Sequence, residues 1–278
     1  MTNDLNMMKL EDIFRGQPIT SLYEINNLPQ PDKERIYLNL IPERLFSRFE
    51  LDPRTLRNKE EAKVIKFYCP QGMGFVSIEV KCRPEDEDPV FILDLETTNL
   101  SQVELSFLSF NDPFSDRFNI DRDEEGRRNF LGTGRRNIKE EERAWVAGLT
   151  PGQVRKGIGL LRDFFELMEK FMQALEGNLY LLEPLFYHNA ITYERYGCGY
   201  LEGKPRMEKI HQGFTFGGEL FDRLDGSSPF RQRGFEKTVR GRSWAIHDGI
   251  LLEPWKSPKM YKKIGQDLGI STFPDAIF

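Results

Sequence analysis

Four short segments in the first half of the chain constrain its fold most strongly. Val64, Ile65, Phe67 and Tyr68 form the first, followed by Phe75, Ile78 and Val80, then Val90–Leu95, then Leu105–Phe110. Segments 75–82 and 104–110 roughly alternate large apolar with polar or small residues, the period of a strand buried on one face. The links carry turn chemistry, Pro70-Gln71-Gly72 and the acidic Arg83–Pro89. A four-strand antiparallel meander follows from this pattern.

The segments around the meander complete an α+β plan. Residues 1–60 are cut by Pro18, Pro29, Pro31, Pro42 and Pro53, which leaves room only for short elements and suggests an N-terminal arm or subdomain. Residues 61–278 then form the main domain. Within it, 111–149 follows neither period, is rich in Asp, Glu, Arg and Gly, and reads as a long loop. Thr150-Pro151-Gly152-Gln153 has the residues of a helix start, and Leu161, Phe164, Phe165, Met168, Phe171, Met172 and Leu175 recur at three and four residues. A strand over Leu179–Tyr187, weakened by Pro184, is expected next. A short helix over Asn189–Tyr196, a strand over Cys198–Leu201 and a helix over Arg206–Gly213 come after it. A strand near Arg242–Leu252 and a helix from Ser257 to Leu268 close the expected order.

The glycines of Val154-Arg155-Lys156-Gly157-Ile158-Gly159, with the amphipathic segment and then Asn189-Ala190-Ile191-Thr192-Tyr193-Glu194-Arg195-Tyr196-Gly197 downstream, resemble two signatures of the GNAT acyltransferase superfamily. The likeness spans residues 150–202, under a fifth of the chain. It implies a GNAT-like mixed, largely antiparallel sheet flanked by helices. It also implies that acetyl-CoA or another acyl-CoA serves as co-substrate, its pyrophosphate held by the backbone of Arg155, Lys156, Gly157, Ile158 and Gly159. Asn189 falls on the family's cofactor-contacting Asn, and Tyr193 on the tyrosine that protonates the departing thiolate. The general reason is that glycines let a backbone approach an anion and a helix N-terminus offers unpaired N–H groups.

Two readings compete over the glycines. A helix opening at Thr150 places Gly157 and Gly159 inside it, where close packing accounts for them; a helix opening after Gly159 leaves them as the phosphate turn. The family has Arg or Gln where this chain has Val154, and Phe where it has Cys198. For a base, Asp94, Glu96, Glu104 and Glu183 are available. Glu183 lies in an apolar stretch, where an inward carboxylate would have a raised pKa. An outward or salt-bridged Glu183 and a Tyr193 with a locally bonded hydroxyl are the structural alternatives. The expected function is acyl transfer to the amine of a small molecule; the alternative is a non-catalytic small-ligand-binding protein of the same fold.

Other classes are disfavoured by counting. Lys plus Arg is 39 and Asp plus Glu is 44, a net charge of −5, which argues against a nucleic-acid surface. Cys69, Cys82 and Cys198 show no CxxC spacing, and His188, His211 and His247 no HxxxH, so no metal site is expected. Asp112–Glu125 lacks calcium-loop spacing. No run of about 18 apolar residues spans a membrane, and Met1–Arg15 has no secretory h-region, so a cytoplasmic protein is expected, with a homodimer as the expected self-association. Gly132–Asn137 and Phe230–Phe235 are arginine-bearing loops, read as solvated turns in preference to an anion loop and a single-strand site. Twenty-two Phe, nine Tyr and three Trp exceed what a surface needs. Five of those tyrosines fall between Tyr180 and Tyr200, the place to expect a lined cavity.

Overall fold

The computed structural model describes residues 19–129 and 135–278. The Met1–Arg15 segment and the Gly132–Gly134 part of the first arginine-bearing loop lie outside the described residues. The fold is mixed α+β, with seven strands in an open, mostly antiparallel sheet flanked by helices. Two compact units divide the chain.

The first unit comprises the chain up to Pro113, Gly157–Leu181 and Lys263–Gly265. It opens with three short helices, α1 (Leu22–Asn26), α2 (Gln30–Leu38) and α3 (Glu43–Arg48). The prolines that punctuate this region mark helix starts: Pro29 and Pro42 are N-caps, and Pro31 sits in the first turn of α2. The meander follows as expected, with β1 (Ile65–Tyr68), β2 (Phe75–Val80), β3 (Phe91–Thr97) and β4 (Val103–Phe110) paired antiparallel in sequence order. Ile65, Val76, Ile78, Val80, Phe91, Leu93 and Leu95 are fully buried, and the partners Ile65↔Val80 and Ile78↔Leu93 share one face. Asp94 pairs with Phe107 and Leu95 with Leu105, so Ser106 is an extra residue in β4, a bulge. The long amphipathic helix of this unit runs over Leu161–Ala174. Phe164 meets Phe91 at 6.4 Å and Phe171 meets Tyr37 at 6.3 Å, each contact burying aromatic surface. Strand β5 (Leu179–Leu182) comes after it.

The second unit comprises Phe114–Lys156, Leu182–Lys262 and Gln266–Phe278. Numbered with the long helix as α5, its helices are α4 (Ile138–Val146), α6 (Tyr187–Arg195), α7 (Lys204–Phe214), α8 (Glu219–Asp222) and α9 (Val239–His247). A 3-10 turn, Phe235–Lys237, precedes α9. Strands β6 (Gly199–Glu202) and β7 (Lys259–Lys263) pair antiparallel. Phe118, Ile120, Ala144, Leu149, Phe230 and Trp244 form a core, with Phe230 stacked on Trp244 at 4.9 Å.

Four expectations are corrected. No helix starts at Thr150: Gly152 has φ +83°, outside the helical region, and a Cβ there would meet the Phe186 ring at 2.2 Å. Gln153 folds back on Thr150 instead, and α5 begins at Leu161. Residues 239–247 are a helix, not a strand; Thr238 caps it, accepting from the Gly241 amide at 2.9 Å. Seven of its nine residues are buried, so the apolar run hid the helical period. Lys259–Lys263 is a strand, not a helix, because Met260 and Lys262 alternate inward. Finally, 111–149 contains α4, capped by Asn137.

Candidate phosphate turn and buried polar network

The Gly157–Gly159 turn leads directly into α5. Gly159 has φ +73°, a left-handed value that suits glycine, and open space around it. Immediately before it, Arg155 Nη1 donates to Ser115 O at 2.5 Å and the Lys156 amide to Ser115 Oγ at 3.1 Å, which anchors the entry to the turn. Ile158 is buried. Leu160 offers no side-chain cap, and Phe164 is the first residue of α5 whose amide reaches back to a carbonyl, that of Leu160, at 3.0 Å. Among the described residues, the amides of Gly159 to Asp163 have no hydrogen-bond partner. Asp163, which would repel an anion here, is drawn to Arg44 at 3.4 Å.

Asn189 and Tyr193 lie four residues apart on α6, and so on one face of it. Asn189 Oδ1 accepts the Phe186 amide at 3.1 Å, capping its own helix. Burial, and secondarily the Cys198 thiol, pushes the Tyr193 hydroxyl well above the ordinary tyrosine range, so it stays protonated. Glu183 follows β5 and is exposed; the inward orientation considered from sequence is not adopted. Of the other carboxylates, Asp94 keeps one buried oxygen without a hydrogen-bond partner and Glu96 accepts from Ser106 Oγ at 2.7 Å.

Sequence reading missed a hydrogen-bonded chain in the second unit. Thr150 N and Oγ1 both donate to Gln153 Oε1 at 2.8 Å; the backbone amide can only donate, which fixes that atom as the oxygen. Thr150 Oγ1, having donated its proton, accepts from His188 Nε2 at 3.0 Å. His188 therefore carries its proton on Nε2, and its bare Nδ1 accepts from Ser243 Oγ at 2.9 Å. Burial first, and His247 second, lower the His188 pKa from 6.5 to about 3. The ring stacks on Phe186 at 5.8 Å. Thr150-x-x-Gln153 was the one visible signal, but it reads equally as a helix cap.

One arginine of each arginine-bearing loop, Arg136 and Arg231, is held by internal carboxylates. Arg136 Nη1 pairs with Asp248 at 2.8 Å and also clasps Glu141, while Arg231 Nε meets Asp248 at 2.8 Å. His247 Nε2 meets Glu141 at 3.2 Å. Burial acts to raise both carboxyl groups. It is outweighed at Glu141 by hydrogen bonds from His247 and Arg136, and at Asp248 by those from Arg136, Ser228 and Arg231, so both end below the ordinary range. These arginines are structural cations, not loops waiting for an anion.

Among the described residues, no group of three or more His, Cys, Asp or Glu is placed to hold a metal ion, and no helix is long and apolar enough to cross a membrane. No family model matches the chain, and no curated protein or solved structure matches it either.

Proposed function

We propose that the chain is a GNAT-like, acyl-CoA-dependent N-acyltransferase acting on the amine of a small molecule in the cytoplasm, with a homodimer as its assembly. The observation that carries this reading is the glycine turn opening straight into the N-terminus of α5, a 14-residue helix whose first amides have no partner. Those amides and the positive end of the helix dipole suit the pyrophosphate of acetyl-CoA or another acyl-CoA.

In this reading the substrate amine attacks the thioester carbonyl, an N–C bond forms and the C–S bond breaks. The amine's surplus proton passes to a carboxylate or water. The departing thiolate takes the Tyr193 proton, which burial keeps in place until then. Exposure of Glu183 leaves water as the first acceptor.

Calorimetry with acetyl-CoA tests the reading. Saturable heat that disappears when pantetheine, lacking the pyrophosphate, replaces the cofactor supports it; no heat at millimolar acetyl-CoA removes it. Tyr193→Phe should lose turnover and keep binding, and an unchanged rate denies Tyr193 its role. A second reading, a non-catalytic ligand-binding protein, is favoured by Asn189, whose oxygen is engaged by the Phe186 amide, and by Val154 in place of Arg or Gln. A co-purified ligand other than coenzyme A in native mass spectrometry supports that alternative.

A further inference from the structure

Helix α9 carries a cation that the protein does not neutralise. Arg242 is 3 % exposed. Its Nε donates to Glu236 O at 2.6 Å and its Nη1 to His211 Nδ1 at 3.1 Å, both neutral acceptors. The guanidinium can only donate, so His211 accepts through a bare Nδ1 and is itself uncharged. The Phe214 and Phe273 rings lie against it, their centroids 5.0 and 3.4 Å from Cζ. No carboxylate among the described residues lies within ion-pair distance; Glu236 acts on it only at longer range. Its remaining side-chain partner is the Tyr187 hydroxyl, which is neutral as well. A buried charge left unpaired in this way is costly, and native proteins rarely retain one without a use.

The polar groups beside it lack acceptors. Tyr187, 1 % exposed, accepts a side-chain hydrogen bond from Arg242, which can only donate, so the Tyr187 hydroxyl proton is left without an acceptor. Trp255 meets Tyr187 edge-to-face at 6.1 Å, and its buried Nε1–H is likewise unmatched. A cation and two unsatisfied donors in one neighbourhood call for an acceptor that is also an anion.

We propose that Arg242, Tyr187 and Trp255 form a subsite for the carboxylate of a small-molecule ligand. The carboxylate meets the Nη1–Nη2 edge of Arg242 in the plane of the guanidinium, because the aromatic rings occupy its faces. One negative charge matches one positive charge, whereas a phosphate dianion would leave a charge buried and unpaired. Tyr187 donates its hydroxyl proton to the same oxygen pair, and the Trp255 N–H extends the donor set to further ligand oxygens.

Acetate is the probe. The full chain is unfolded with urea at pH 7 in sodium acetate, chloride or phosphate at matched ionic strength. Acetate should stabilise the wild type saturably beyond chloride, Arg242→Met should lose that acetate increment, and any phosphate increment should be the same in the two proteins. No acetate increment in the wild type, an equal acetate increment in Arg242→Met, or a phosphate increment that is lost in Arg242→Met overturns the assignment. Should Arg242→Met fail to fold, Tyr187→Phe decides: a several-fold weaker apparent acetate affinity supports the subsite, and an unchanged affinity overturns it.

Discussion

Acidification should destabilise the second unit through His188 before Glu141 and Asp248 are involved. Burial and His247 bring its folded pKa from 6.5 to about 3, while the unfolded chain titrates at the ordinary value. Between these values the unfolded state binds a proton that the folded state refuses. His188 therefore costs no stability above pH 6.5 and an increasing amount as pH falls toward 3. Linkage puts the loss at roughly 2 kcal/mol between pH 7 and pH 5, and roughly 3 kcal/mol by pH 4. Glu141 and Asp248, both lowered, lose their contributions only as pH falls from about 4 downward, below the pH 5–7 range. Glu194, raised by burial, acts in the opposite sense, gaining stability as pH falls. His211, lowered by burial and by Arg242, adds to the loss, which is why the comparison must be with His188→Gln and not with theory alone. Urea unfolding at pH 7, 6 and 5 and constant ionic strength measures it. The wild type should lose about 2 kcal/mol more than His188→Gln over that range. Equal pH slopes in the two proteins would refute the buried, neutral imidazole.

Three further outcomes follow from named contacts. Thr150→Val leaves the His188 Nε2–H without an acceptor and should cost about 1–3 kcal/mol, with Thr150→Ser restoring most of it in the same urea assay. Glu141→Gln removes a 1 %-exposed carboxylate from Arg136 and His247 and should cost about 3 kcal/mol or more, visible as a lower urea midpoint with unchanged m-value. Gly159→Ala meets no atom but must hold φ +73°, so it should lose about 1 kcal/mol of stability, and its acetyl-CoA affinity should fall by a larger factor than that strain explains.

What the sequence disclosed, and what it hid, follows from the range of the interactions. The meander was readable because alternation is a local pattern set by the two faces of each strand, and Ile65, Ile78 and Leu93 obey it. The stripe on α5 was readable for the same reason, but its start was not. Thr150 and Gln153 are suitable cap residues, and only the φ of Gly152, set by packing on Phe186, assigns them to a turn. Helix α9 read as a strand because burial on nearly every side removes the polar face that betrays a helix. In the candidate site, Gly157, Gly159, Asn189 and Tyr193 were proposed from the resemblance of their motifs, which are local in the chain. Ser243 and Arg242 were not, because their partners His188, Tyr187 and His211 lie more than thirty residues away in the chain.

Amide-resolved NMR of the isotopically labelled protein, titrated with acetyl-CoA, tests the phosphate turn most directly. Binding should shift the backbone amides from Gly159 to Asp163 most strongly and saturably, as their free N–H groups take up phosphate oxygens. Acetyl-CoA that leaves those amides unmoved, whether it fails to bind or binds elsewhere, contradicts the account.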